Sequence, residues 1–214
     1  MGVYERTFRA LRRAGFEVLC LTISSRLSGT YANATACARE IPGVRVVDTR
    51  TTAIGLAFLV YEARRMIQRG LSLEETAQQI ADMRDCVKTM FTVEDMRPLR
   101  RSGRLGPVRQ SVGTILNIRP LLTCRDGAVV ACGAVRGQVE QLRSLVAAVP
   151  AHAGPIAVQY IRQREAALDL ARRIQTRCDK PVTLRKLGPV LGIHLGADVL
   201  GAMWFEPKNG QPLP

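Results

Sequence analysis

Aromatic residues make up only 5% of this 214-residue chain, and Lys88, Lys180, Lys186 and Lys208 are its only lysines. No basic stretch interleaves with aromatics, which argues against a single-strand nucleic-acid platform built on base stacking. No apolar run approaches the length of a membrane span, and the opening MGVYERTFRALRRAG lacks the apolar core of a signal peptide, so a cytoplasmic protein is expected. Gly2 is not followed by Ser or Thr at the sixth position, as an N-myristoylation start requires. P-loop, dinucleotide-binding and zinc motifs are missing, and no G-x-S-x-G elbow occurs. The cysteines Cys20, Cys37, Cys86, Cys124, Cys132 and Cys178 are scattered, with no C-x-x-C and no histidine at ligand spacing. Six reduced thiols, no metal and no cofactor are therefore expected. Cys124 and Cys132 flank an Asp126-Gly127 turn, but a two-residue loop there pairs Cys124 with Val129 instead.

The chain is 47% hydrophobic, enough to bury the core of one large domain or two small ones. Its formal charge of +13 comes mostly from arginine. From Arg97 to Arg125 there are seven arginines and no acid. Such a balance suits an anionic partner, whether nucleic acid, an acidic protein or a lipid head-group surface. A run of this kind is either a solvated face or a docking surface.

The most informative stretch is Ile23-Ser-Ser-Arg-Leu-Ser-Gly-Thr-Tyr31. Before it, Phe16–Ile23 is an apolar, β-branched run that reads as a strand covered on both faces. After it, Thr30–Glu40 is alanine-rich and helical, with Ser28 expected as N-cap. A strand end entering a helix through Ser25, Ser28, Gly29 and Thr30 gathers hydroxyls, free N–H groups and a positive dipole end, which together form an anion seat. Ordinary turn and capping chemistry uses the same residue types.

Taken in order, Tyr4, Phe8 and Leu11 at helical spacing predict an opening amphipathic helix capped by Gly15. Val44–Asp48 reads as a strand ending in an acid that caps the following turn. Ala53–Met66 reads as a mostly buried helix closed by Gly70. Ser72-Leu-Glu-Glu75 is a capping box for a helix to about Arg84, and Val87–Val93 alternates as a third strand. This succession predicts a parallel sheet with ligands at the carboxyl ends of its strands. Beyond it, Ile118–Cys124 and Ala128–Val135 form a hairpin, followed by a helix over 138–149, a strand over 155–161, a helix over 165–176 and a strand over 181–187. The fold expected is α/β, with a truncated parallel-sheet N-terminal domain (1–95) and a second, smaller α+β domain (96–214). The segment after Glu206 is expected to fray. Of two histidines, His152 lies in a loop, and His194 sits between Gly192 and Gly196, where backbone approaches a ligand closely.

The stretch I-S-S-x-L-S-G-T-Y resembles the signature of the DegV family, fatty-acid-binding proteins that serve bacterial fatty acid kinases. Val47-Asp48-Thr49, Arg101-Ser-Gly-Arg-Leu105, Ile115-Leu-Asn-Ile-Arg-Pro-Leu121, Asp126-Gly127 with Val135-Arg-Gly137, and Gly188-Pro-Val-Leu-Gly-Ile-His-Leu-Gly196 recur in the family's order. The resemblance implies a non-catalytic carrier of a long-chain fatty acid. Its carboxylate-binding residues would be Ser28 and His194, with Ser25, Gly29 and Thr30 around them. Arg104 and Arg136 would dock the kinase subunit, Arg104 held outward by the Gly106-Pro107 turn, and an anionic membrane surface is a further candidate partner. Departures are plain. The family's D-S turn and T-S-Q-P loop are missing, so an upstream start of the native protein is expected. Ala53 replaces a serine, Ala57 replaces a glycine, and Asp198 adds a charge close to the expected carboxylate, which would weaken binding or raise the pKa of His194.

For such a ligand, burying about fourteen methylenes at ~0.8 kcal/mol each contributes on the order of 11 kcal/mol before ordering costs. Each hydrogen bond to the ionised head is worth ~1.5–3 kcal/mol. The tail drives affinity and the seat sets orientation. Two alternatives stand beside this reading. A serine hydrolase would use Ser28 with His194, with Asp198 the candidate orienting acid. A basic nucleic-acid-binding module is motivated by charge alone, and the resemblance implies no nucleic acid.

Overall fold

The structure, a computed structural model, describes residues 2–106 and 118–207. Arg109, Pro107, the Ile115–Asn117 part of the family block and the tail from residue 208 lie outside the described residues. The fold is mixed α/β, and its contacts divide the chain into two units, Met1–Asp85 and Cys86–Pro214.

In the first unit, helix α1 (Gly2–Arg13) buries Phe8, with the Tyr4 ring tilted at 43° to it and 5.8 Å between centroids, and the chain turns at Gly15 with φ +84°. Strand β1 (Val18–Thr22) is fully buried only at its two ends and half-buried between them, so it is less covered than its composition implies. It pairs in parallel with β2 (Val44–Asp48), Val18 opposite Val44 and Thr22 opposite Asp48. Between them runs α2 (Thr30–Ala38), whose Ala34 and Cys37 close a small core with Phe8, Val18, Ile41 and Val44. Helix α3 (Ala53–Gln68) buries Phe58, Leu59, Ala63 and Met66 and ends at Gly70, φ +89°. Helix α4 (Leu73–Met83) carries the expected capping box. Ser72 Oγ accepts from the Glu75 N–H at 3.3 Å, and the Glu75 carboxylate accepts the Ser72 N–H at 2.9 Å. The Ser72 hydroxyl, donating to the Glu75 carboxylate at 2.6 Å, and then the Ser72 N–H hold that carboxyl below the usual range.

The second unit is a six-stranded sheet ordered β5-β4-β3-β8-β6-β7. Its strands are β3 (Val87–Val93), β4 (Ile118–Arg125), β5 (Ala128–Arg136), β6 (Ile156–Ile161), β7 (Val182–Lys186) and β8 (Val199–Phe205). Among the described residues, β6 and β7 are this sheet's only parallel strand pair. Two findings depart from the sequence reading. β3, expected beside β1 and β2, pairs antiparallel with β4 and β8. β8, absent from that reading, is a wholly buried strand at the centre of the sheet. The hairpin turns at Asp126 (φ +49°) and Gly127 (φ +79°), the two left-handed residues of a type I′ turn, and Cys124 pairs with Val129. None of the six cysteines is in a disulfide. Burial pushes the Cys124 thiol up to about 11.

Helices α6 (Gly137–Ala148) and α7 (Arg164–Gln175) share one core cluster with the sheet. Leu142, Leu145, Leu170 and Ile174 meet Ile156, Val158, Leu200 and Ala202 there. Two short helices, α5 (Arg97–Arg101) and α8 (Pro189–Leu195), pack on each other. Among the described residues no helix is long and apolar enough to cross a membrane.

Candidate functional site

The serine stretch wraps tightly at the carboxyl end of β1. Backbone N–H groups of Leu27 and Ser28 both donate to the Ser24 carbonyl, at 3.0 and 3.2 Å. Ser24 itself is buried and donates its N–H to the Thr51 carbonyl at 2.9 Å. The loop after β1 is thereby tied to the loop after β2, and Thr49 adds to the tie by donating its hydroxyl to the Thr22 carbonyl at 2.7 Å.

Ser28 is not the N-cap of α2. Gly29 holds that place and supplies no side-chain bond, because the turn at Ser24 sets the helix start one residue later than the serine spacing implies. Ser28 caps from one residue further back, its Oγ accepting the Thr30 N–H at 3.3 Å. The Ser28 and Thr30 hydroxyl oxygens are 2.8 Å apart, so one donates to the other. A Cβ added at Gly29 would meet nothing within 4 Å, which leaves the backbone between the hydroxyls open to approach. Two hydroxyls and a helix N-terminus around an open glycine are a fit for an oxyanion.

Ser25 sits in the same turn but is engaged elsewhere. Its hydroxyl donates to Asp48 Oδ2 at 2.6 Å and its N–H to Asp48 Oδ1 at 3.1 Å. Asp48 also accepts the Arg50 N–H at 3.0 Å, the turn-capping role read from the sequence. The bond to Ser25 has only a faint sequence signal, an acid ending one strand and a serine following its parallel neighbour.

In the second unit His194 lies within helix α8 rather than in a glycine loop. Pro189 occupies the first turn, and Gly196 ends the helix at φ +89°, a conformation only glycine adopts without strain. The ring is half-buried, and its Nδ1 is buried without a hydrogen-bond partner among the described residues. An imidazole in that state keeps one bonding position unused. Asp198 is not an isolated charge, since Arg162 Nε lies 3.8 Å from its Oδ1. Both border an open cleft of about 570 Å3 with Glu94, Glu165, Arg119 and Arg164. Three cations against three carboxylates give it no net attraction for an anion, and its polarity does not suit an acyl chain.

Arg104 is exposed just after α5 and donates to the Ser102 carbonyl. The next residues fix it to the hairpin: Leu105 bridges Val129, and the Gly106 N–H donates to the Val129 carbonyl at 2.7 Å. A Cβ at Gly106 would stand 3.0 Å from that carbonyl, so a side chain there would make the strand give by a few tenths of an ångström. Asp95, beside Arg97, accepts the Arg97 N–H at 2.8 Å and is held below the usual carboxylate range by that bond. Arg136 is exposed at the opposite end of β5, where Ile118 pairs with it. Arg104 and Arg136 are thus separate by the length of the strand, on the order of 20 Å. Among the described residues no group of His, Cys, Asp and Glu is placed to hold a metal ion.

The family model described as "Uncharacterised protein, DegV family" matches residues 1–207. A DegV domain-containing protein of Halalkalibacterium halodurans is 28% identical over 217 residues, which is 97% of this chain and 77% of that protein. One from Mycobacterium tuberculosis is 33% identical over 204 residues, 90% of this chain and 72% of that protein. Among solved structures, a fatty-acid-binding DegV family protein of Thermus thermophilus superposes with a TM-score of 0.85 at 28% identity, covering 95% of this chain and 76% of that one. With the model spanning nearly every residue and the serine stretch in place at the end of β1, the chain belongs to the DegV family.

Proposed function

We propose that this chain is a non-catalytic, cytoplasmic fatty-acid carrier that holds a long-chain fatty acid and presents its carboxylate to a partner fatty acid kinase. The observation that carries the reading is the open Ser28–Gly29–Thr30 seat at the head of α2, in a chain related to a fatty-acid-binding protein of Thermus thermophilus. Ser28, Thr30 and the Gly29 backbone are the proposed carboxylate ligands. His194 is assigned to the carboxylate by the resemblance, and its unpartnered Nδ1 supports the assignment. Ser25 is bound to Asp48 and would have to release it in order to donate to the ligand.

The Ser28 hydroxyl meets Thr30, so the hydrolase alternative gains no support from its hydrogen bonds. Exposed Arg104 and Arg136, at the two ends of β5, are the proposed kinase contacts. An anionic membrane surface is a further proposed partner, supported by the +13 charge and by exposed Val190 and Ile193 on α8. Solvent extraction of the purified protein followed by mass spectrometry tests the carrier role. A stoichiometric long-chain fatty acid is expected, whereas folded protein that carries none and takes up neither palmitate nor oleate contradicts it.

A further inference from the structure

We propose that Asp48 sets how many hydrogen-bond donors the carboxylate seat can offer, by holding the only hydroxyl proton of Ser25. The inference rests on the fatty-acid reading above and adds a positioning residue to it. A carboxylate accepts hydrogen bonds and donates none, and a serine hydroxyl carries one proton. In the 2.6 Å bond between Ser25 Oγ and Asp48 Oδ2 the serine must therefore be the donor, and its remaining lone pairs have nothing to offer a second carboxylate. Ser28 and Thr30 share one bond between their hydroxyls, which occupies one of their two protons. Of the three hydroxyls of Ser25, Ser28 and Thr30, a single proton is left for an arriving anion. Asp48 also brings a negative charge to the same turn. Both effects loosen the grip on a carboxylate, which suits a carrier that must pass its ligand on.

The geometry separates this role from simple loop support. Oδ1 accepts both backbone N–H groups, from Ser25 and from Arg50, whereas among the described residues Oδ2 takes only the Ser25 hydroxyl. The strand ends are also tied independently, through Ser24 to Thr51 and Thr49 to Thr22. Asp48→Asn can thus keep its oxygen on the two N–H groups while the new amide donates to Ser25 Oγ. The bond reverses polarity, and the Ser25 proton turns free.

The test is titration of palmitate and of hexadecan-1-ol into wild type, Asp48→Asn, Ser25→Ala, the double variant and Asp48→Ala. Asp48→Asn is expected to tighten palmitate roughly tenfold, the lower end of what one bond to a charged group is worth. Hexadecanol affinity should be unchanged. Ser25→Ala alone should alter palmitate binding little, and the double variant should lose most of the gain. Unchanged or weaker palmitate binding by Asp48→Asn, or a gain that persists without Ser25, overturns the proposal. If folded wild type binds no palmitate, the fatty-acid reading itself fails, and melting then judges the Asp48 arrangement. Asp48→Asn near wild type with Asp48→Ala several degrees lower supports it, and equal losses in both overturn it.

Discussion

Ala53 enters α3 with φ +52°, and Arg50, three residues earlier, has φ +51°. A left-handed conformation costs a residue with a Cβ on the order of 1 kcal/mol, so the loop behind the seat holds strain at two places. Ala53→Gly should therefore raise stability by about 0.5–1 kcal/mol, the relieved strain exceeding the entropy that glycine adds to the unfolded chain. Chemical denaturation checks it, and a loss of stability would show that the strain is not real. Asp48 illustrates what a sequence can convey at this scale. As an acid ending a strand it was legible as the cap of the next turn, because that bond spans two residues. Its bond to Ser25 spans 23 residues and exists only because β1 and β2 lie side by side in register. Likewise Ser28 was legible as a helix-start residue, but the turn at Ser24 decides which residue is the cap.

The elements that were legible are those specified by near neighbours. Ser72 and Glu75 form a capping box within one turn of helix, and Asp126-Gly127 closes a hairpin within two residues. β8 was not legible, since Val199–Phe205 is continuously apolar without alternation and its partners on β3 lie more than 100 residues earlier. The same distance explains β3, whose place beside β1 followed from chain order whereas its partners arrive later. Gly201 shows how tightly β8 is set. A Cβ there would collide with the Phe91 side chain and stand 2.7 Å from the Met90 carbonyl. Neither backbone atoms nor a Cβ can move aside cheaply, so Gly201→Ala should cost about 1–3 kcal/mol. Urea denaturation reads the change, and wild-type stability in the variant would mean that the strands are less closely packed.

For the whole molecule, the excess of arginine and the placing of Arg104 and Arg136 at opposite ends of β5 favour a broad contact with an acidic partner over a single docking point. Arg104→Ala should leave palmitate affinity unchanged and lower kinase turnover about tenfold, the effect of removing one well-placed arginine from an interface. Added salt should weaken the same association. Loss of palmitate binding in that variant would move Arg104 from the partner to the ligand. The family was legible from six motif blocks in order, and the family model bears it out across residues 1–207. Much of the proposed ligand chemistry depends on loops, and only the local part of a loop is written in adjacent residues.

The central claim is that the hydroxyls of Ser28 and Thr30 grip the acid of a lipid, and calorimetric titration of palmitate into wild type and Ser28→Ala tests it most directly. Wild type should bind tightly. Ser28→Ala should bind about tenfold more weakly without losing the ligand, because tail burial outweighs one head-group bond. Hexadecan-1-ol should respond much less to the substitution. Equal palmitate affinity in both proteins, or none in a well-folded wild type, would contradict the account.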